Sequence, residues 1–199
     1  MLCRLPIGLE VVVEVKLHPD AVSTPGPQGA QLLHEPVDLL LLHGPCLIGG
    51  AKANSVLWQG LEKAKEQGMA KAIGVSNYKV SQLQDLLKDA TTVPAINQCE
   101  MSLQSHDDET IDFCQKNKIT YEAYHVMKGC PMSDATVTSI ATAHSVSAAQ
   151  VCIRYIMQRG CVLATGTGQD ATKAAAYAKA DLDVYGFALT DDAMTAPGK

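Results

Sequence analysis

Two rhythms of apolar and polar residues alternate along this chain. Short solid apolar runs give way to longer stretches in which apolar residues recur every three or four positions. The clearest case is Ala70 to Tyr78, AKAIGVSNY. Ala72–Val75 is apolar on both faces, as a buried parallel strand is, and Ser76 and Asn77 stop it. Beyond it, Leu83, Leu86, Leu87 and Ala90 fall at helical spacing within Val80 to Ala90. The unit is strand, polar tip, helix. In α/β proteins the loops after parallel strands open onto the ligand-binding face.

The same rhythm predicts the other elements. Strands are expected at Leu9–Leu17, Val37–Leu42, Ala95–Gln98, Thr120–Tyr124 and Cys161–Ala164, which with the pivotal run makes six. Helices are expected over Val56–Gln67, capped by Asn54 or Ser55 and closed by Gly68, and over Asp107–Lys118. Asp134 predicts a cap for Ala135–His144, and Ser147 one for Ala148–Arg159. A further helix is expected over Asp170–Ala180, with a short fragment at the end. Pro25, Gly26, Pro27 and Gly29 oppose any helix in the first half of Ala21–Pro36. From residue 37 onward strand and helix alternate with no dividing linker. That pattern predicts a single domain, residues 1–199, with six parallel strands. A closed (β/α)₈ barrel needs eight strands and about 250 residues, so the expected fold is an incomplete barrel, short of about two βα units at its front.

Composition narrows the function classes. Hydrophobic residues make up 47% and charged residues 19%, with a net charge of −5. No basic block forms a footprint for nucleic acid. No apolar segment approaches the roughly 20 residues that cross a bilayer, and the N-terminus lacks the marks of a secretory signal. The expectation is a soluble, cytoplasmic protein with neither nucleic acid nor membrane as partner. Seven cysteines occur, an odd number with no CxxC. Scattered reduced thiols fit this better than a disulfide framework or a metal site.

Two basic residues fall at the ends of successive strands: Lys16, in VEVKLHP, and His43, in LLLLHGP. Either fits a structural role, the lysine by reaching the surface. Their shared position at strand ends fits a catalytic one equally well.

Several segments together resemble the aldo-keto reductase family. They are VDLLLLHGP at 37–45, GLEKAKEQGMAKAIGVSNY at 60–78, VPAINQCEMS at 93–102, IDFCQKNKITYEAY at 111–124 and SAAQVCIRYIMQRG at 147–160. LTDDAM at 189–194 is similar to the family's C-terminal segment. The resemblance implies a (β/α)₈ barrel that binds NADPH or NADP⁺ without a Rossmann motif and reduces the carbonyl of a small aldehyde or ketone. It matches Lys16 and His43 to two of four catalytic residues. It matches Ser76, Asn77 and Gln98 to the groups that hydrogen-bond the nicotinamide carboxamide, and Tyr124 to the aromatic that covers the ring. The loop Thr165–Gln169, with Gly166, Thr167 and Gly168, matches the region near the adenosine phosphate, and Lys173 adds a cation one turn beyond.

The residue types suit that chemistry. A carboxamide presents an acceptor and a donor, which Ser, Asn and Gln side chains complement. A carbonyl oxygen gaining charge needs a proton donor, in the family a Tyr whose pKa a neighbouring Lys lowers. The family's Asp and Tyr stand in an Asp-x₄-Tyr spacing, and none occurs in these 199 residues. HVMKGCP follows Tyr124 where many members carry a Ser-Pro-Leu-Gly-like run. The expectation is a truncated, catalytically incomplete member. The alternative is a non-enzymatic NADP(H)-binding or interaction protein of the same descent.

Overall fold

The computed structural model describes the backbone of residues 2–4, 10–14, 36–46, 49–166 and 171–195. The chain divides into two compact units, Met1–Asn97 with Asn117–Ile119, and Gln98–Lys116 with Thr120–Lys199.

The first unit holds β1 (Leu2–Arg4), β2 (Glu10–Glu14), β3 (Val37–Leu42), α1 (Gly50–Glu66), β4 (Ala70–Ser76) and α2 (Val80–Asp89). β5 (Ile96–Glu100) begins in this unit and ends in the other. β3 and β4 pair parallel, Leu39 opposite Ala72 and Leu42 opposite Val75. A parallel pair needs a crossover, and α1 supplies it. The expectation of parallel strands throughout fails at the front. β2 pairs antiparallel with β3, Val11 opposite Leu42 and Glu14 opposite Leu39. β1, unforeseen, pairs antiparallel with β2. The sequence of Ala21–Pro36, rich in proline and glycine, opposes the helix a parallel crossover uses. An antiparallel return requires none.

Leu41, Leu42, Ile73 and Val75 from the strands are buried, as are Trp58 and Leu61 of α1 and Leu83 and Leu86 of α2. Each such side chain contributes about 1.5–3 kcal/mol relative to exposure. Trp58 is seated by its indole, whose Nε1–H donates to the Thr92 carbonyl at 3.2 Å. Gly74 has no room for a side chain. A Cβ there would lie 2.7 Å from the Ile96 carbonyl oxygen and 2.7 Å from Leu41 Cδ2. α1 starts before its expected cap. Its N-cap is Gly49, in a left-handed conformation (φ 92°) that glycine adopts without strain, so Asn54 falls inside the helix and is buried. Gly68 closes the helix as expected, at φ 74°.

The second unit holds α3 (Asp108–Lys116), β6 (Thr120–Tyr124), α4 (Ala135–His144), α5 (Ala148–Gln158), β7 (Val162–Leu163), α6 (Ala171–Leu182) and α7 (Asp191–Thr195). β6 and β7 pair parallel. The bounds of β6 and α4 are those the sequence predicts. Asp134 caps α4, accepting from the N–H groups of Thr136 and Val137. Ser147 caps α5 in a reciprocal box with Gln150. Asp107 stands just before α3 rather than inside it, accepting from Thr110 N–H at 3.1 Å. The tail is tied back to α5. Gln158 accepts from Leu189 N–H at 2.6 Å and donates to its carbonyl at 3.0 Å, and Gln150 donates to the Asp183 carbonyl at 2.7 Å.

Cys130 and Cys152 form a disulfide, with Cα atoms 5.9 Å apart. This corrects the expectation of reduced thiols throughout. The loop after β6 lies on α5, and that proximity is tertiary, so cysteine spacing carries no sign of it. Cys46, Cys99, Cys114 and Cys161 lie outside that disulfide.

Candidate functional site

In the first unit the site gathers at the carboxyl ends of β3 and β4. His43 follows β3 directly and is exposed. Ser76 is the last residue of β4 and is buried. Asn77 turns the chain out of the strand in a left-handed conformation, φ 62°, which asparagine tolerates better than most side chains. Its side-chain Nδ2 donates to the His43 carbonyl at 3.0 Å and lies 3.1 Å from Ser76 Oγ. One amide therefore ties together His43, Ser76 and Asn77, three of the residues of this unit that the sequence singled out.

Behind this tip stand two amides that the sequence reading passed over or misassigned. Asn97, fully buried at the start of β5, clasps the backbone of Tyr78. Asn54 accepts from the Cys46 N–H at 2.6 Å and from the Tyr78 hydroxyl at 3.3 Å. The only sequence sign of Asn97 is a polar residue inside an apolar strand run. Asn54 resembles a helix cap, and that resemblance hides its tertiary role.

Burial pushes the Tyr78 phenol well above its ordinary pKa, and the neighbouring Cys46 adds to the effect. Tyr121 in the second unit behaves alike. Burial is the main cause, with contributions from Cys99, Cys161 and Asp107. Both rings are at most 1% exposed. Neither can present an acidic hydroxyl to a substrate.

In the second unit Gln98 lies within β5, which runs on to Glu100, so the expectation of Gln98 as a strand-end residue is corrected. Its Nε2 donates to Glu122 of β6 at 3.1 Å. Glu122 is buried, a partner the sequence did not suggest. Tyr124 ends β6 half-buried, its ring edge-on to His125 at 4.9 Å between centroids. His125 is left-handed at φ 58°, so β6 leaves its strand by the same kind of turn as β4. Gly166 is exposed, and a Cβ there would meet nothing within 4 Å. Lys173 is exposed in the first turns of α6. Lys16, Thr167 and Gly168 lie outside the described residues. Among the described residues, no group of three or more His, Cys, Asp or Glu side chains could hold a metal ion. Nor is any helix there long and apolar enough to cross a membrane.

Comparison with known proteins bears on these residues. The model of the Aldo/keto reductase family matches residues 30–196. Glyoxal reductase of Bacillus subtilis is 38% identical over 127 residues, 63% of this chain and 45% of its own. Among solved structures, an aldo/keto reductase from Brucella melitensis aligns with a TM-score of 0.70 at 30% identity, covering 80% of this chain and 59% of that one. A variant of Gox0644 solved in complex with NADPH aligns with a TM-score of 0.68 at 31% identity, over 80% and 56%. The chain spans about half the length of the curated relatives it matches.

Proposed function

This chain belongs to the aldo/keto reductase family, and its fold class is α/β of the parallel (β/α)₈ type, represented in part. On that footing we propose that it binds NADPH and serves hydride transfer to the carbonyl of a small aldehyde or ketone, with weak turnover by these 199 residues alone. The observation that carries the reading is the bond from Asn77 Nδ2 to the His43 carbonyl. It ties Asn77, matched to carboxamide binding, to the backbone of His43, whose side chain is matched to substrate binding, at the ends of adjacent parallel strands.

The residues present fit the nicotinamide carboxamide in kind. Ser76, Asn77 and Gln98 carry the hydroxyl and amide groups that such a group pairs with. Tyr124, half-buried at the end of β6, is the matched aromatic. Gly166 gives the backbone room at the phosphate end, and Lys173 a cation. The family resemblance extends the phosphate loop to Thr167 and Gly168. When bound, NADPH supplies the hydride. His43 is exposed and can hold a carbonyl oxygen by a hydrogen bond, with Lys16 the matched cation beside a proton donor.

That donor is the weak point. The chain contains no Asp-x₄-Tyr, and Tyr78 and Tyr121 are buried with raised pKa values. Losing a positioned general acid slows a reaction by about 10²–10⁴-fold. The second reading, a binding protein without turnover, draws on that same absence. Calorimetric titration with NADPH, followed by NADPH consumption with a reactive aldehyde on the same sample, tests both readings. Binding with slow turnover is expected. Robust turnover that His43→Ala abolishes would show that another group supplies the proton, and no binding at all would overturn the proposal.

We also propose that residues 1–199 act as one domain of such an enzyme and that it resides in the cytoplasm. An odd number of cysteines with no CxxC supports that location. The Cys130–Cys152 bond pulls the other way, since cytosolic proteins keep most thiols reduced.

A further inference from the structure

The tip that carries Ser76 and Asn77 is held from behind by a hydrogen-bonded bolt. Asn54 Oδ1 accepts from the Cys46 N–H at 2.6 Å and from the Tyr78 hydroxyl at 3.3 Å. Cys46 belongs to the loop that His43 opens after β3. Tyr78 belongs to the turn that Asn77 opens after β4. One side-chain oxygen on α1 thus joins both loops at a depth where Asn54 is 4% and Tyr78 0% exposed. On the surface side the Asn77 amide joins the same two loops again through the His43 carbonyl. Two links at different depths fix the spacing of the loops more firmly than either alone.

The Tyr78 hydroxyl is an unusual group to bury for packing alone. A phenylalanine would fill nearly the same volume without needing a partner. Its retention as a donor to Asn54 has a use if the two loops must keep a set distance. Burial also keeps the phenol protonated, so the donor persists across the whole working pH range.

We propose that Asn54 and Tyr78 are positioning residues for the nicotinamide end of the cofactor, acting through the spacing of the His43 and Asn77 loops. The proposal rests on the NADPH-binding reading above. It places the effect at one end of the ligand. Ser76 and Asn77 face the carboxamide in that reading, whereas the adenosine phosphate is assigned to the region of Gly166 and Lys173.

The test compares two ligands on the full chain: NADPH, and adenosine 2′,5′-bisphosphate, which lacks the nicotinamide. Tyr78→Phe removes one hydroxyl and keeps the ring. Loss of one neutral hydrogen bond predicts an NADPH affinity lower by about threefold to tenfold. Affinity for the bisphosphate is expected to stay unchanged. A purely structural role would lower both alike or neither. Asn54→Ala is the second variant and is expected to repeat the selective loss. Asn54→Asp keeps an acceptor at the same place and is expected to restore most NADPH affinity. Equal loss of both ligands, or no loss of either, overturns the positioning role while NADPH binding by the unaltered chain upholds the reading beneath it. Failure of the unaltered chain to bind NADPH overturns both.

Discussion

Asn97 and Tyr78 exchange two hydrogen bonds, 19 residues apart in the chain. Asn97 Oδ1 accepts from the Tyr78 N–H at 3.3 Å, and its Nδ2 donates to the Tyr78 carbonyl at 2.9 Å. The side-chain amide thereby does for the chain leaving β4 what a neighbouring strand would do, and it lets Asn77 keep its left-handed turn. Asn97→Ala leaves two buried backbone groups without partners. Each such group costs about 1–3 kcal/mol, so a loss of about 3 kcal/mol is expected. Urea unfolding reads it as a lower midpoint, and a change under about 1 kcal/mol would show that water replaces the amide.

Gly74 and Gly60 should respond to alanine in opposite directions. At Gly74 the new Cβ would meet backbone oxygen and Leu41 at 2.7 Å, inside a strand that cannot shift freely. Overpacking of this kind costs about 1–3 kcal/mol. Gly60 lies exposed within α1 with nothing within 4 Å of its would-be Cβ. Alanine there is expected to stabilise by about 0.5–1 kcal/mol. Melting temperatures of the two single variants check both signs.

The Cys161 thiol gives stability a dependence on alkaline pH. Burial pushes its pKa up to about 11 against the opposing influence of Arg159. A group that holds its proton more tightly when folded stabilises fully below its unfolded pKa. That contribution fades as pH rises from near 9 to the folded value. Stability is therefore expected to fall across that window, and Cys161→Ala to flatten the fall. Above pH 10 the buried Tyr78 and Tyr121 phenols add their own decline in the same direction. Urea unfolding of both proteins at intervals between pH 8 and 11 separates the thiol from the phenols.

Reduction of the Cys130–Cys152 bond frees a loop closed over 22 residues. By the chain-entropy estimate such a closure is worth about 3 kcal/mol. Thermal unfolding with and without a strong reductant should show the reduced protein melting several degrees lower. Cys130→Ser should melt at the reduced value under both conditions.

Much of this architecture is legible in the residues, because most elements announce themselves locally. β6 is bounded by the polar turn before Thr120 and by Tyr124. α4 starts at its aspartate, and α5 at a serine whose partner Gln150 lies three residues on. What escaped has a common physical cause. The partner of Gln98 is Glu122, that of Asn54 is Tyr78, and that of Cys130 is Cys152. None of these pairs falls within a helical turn or a hairpin register, so no periodicity records it. Asn54 misleads further, because capping and tertiary bonding call for the same side chain. The front of the sheet escaped for a different reason. Val-rich sequence predicts a strand at Leu9–Leu17, which the structure describes over Glu10–Glu14, but says nothing about its direction.

The chain has one tryptophan, Trp58, and it is 1% exposed with its indole N–H held by Thr92. That residue and its partner both fall within Met1–Asn97. Intrinsic indole emission consequently watches only the part of the chain that carries His43, Ser76 and Asn77. The disulfide and Tyr124 belong to the other part. Excitation of the indole alone, set beside far-ultraviolet circular dichroism of the whole backbone, gives two clocks on one denaturation. A red shift of the emission that runs ahead of the loss of helix signal would report that the nicotinamide-side loops come apart while the rest of the chain still stands.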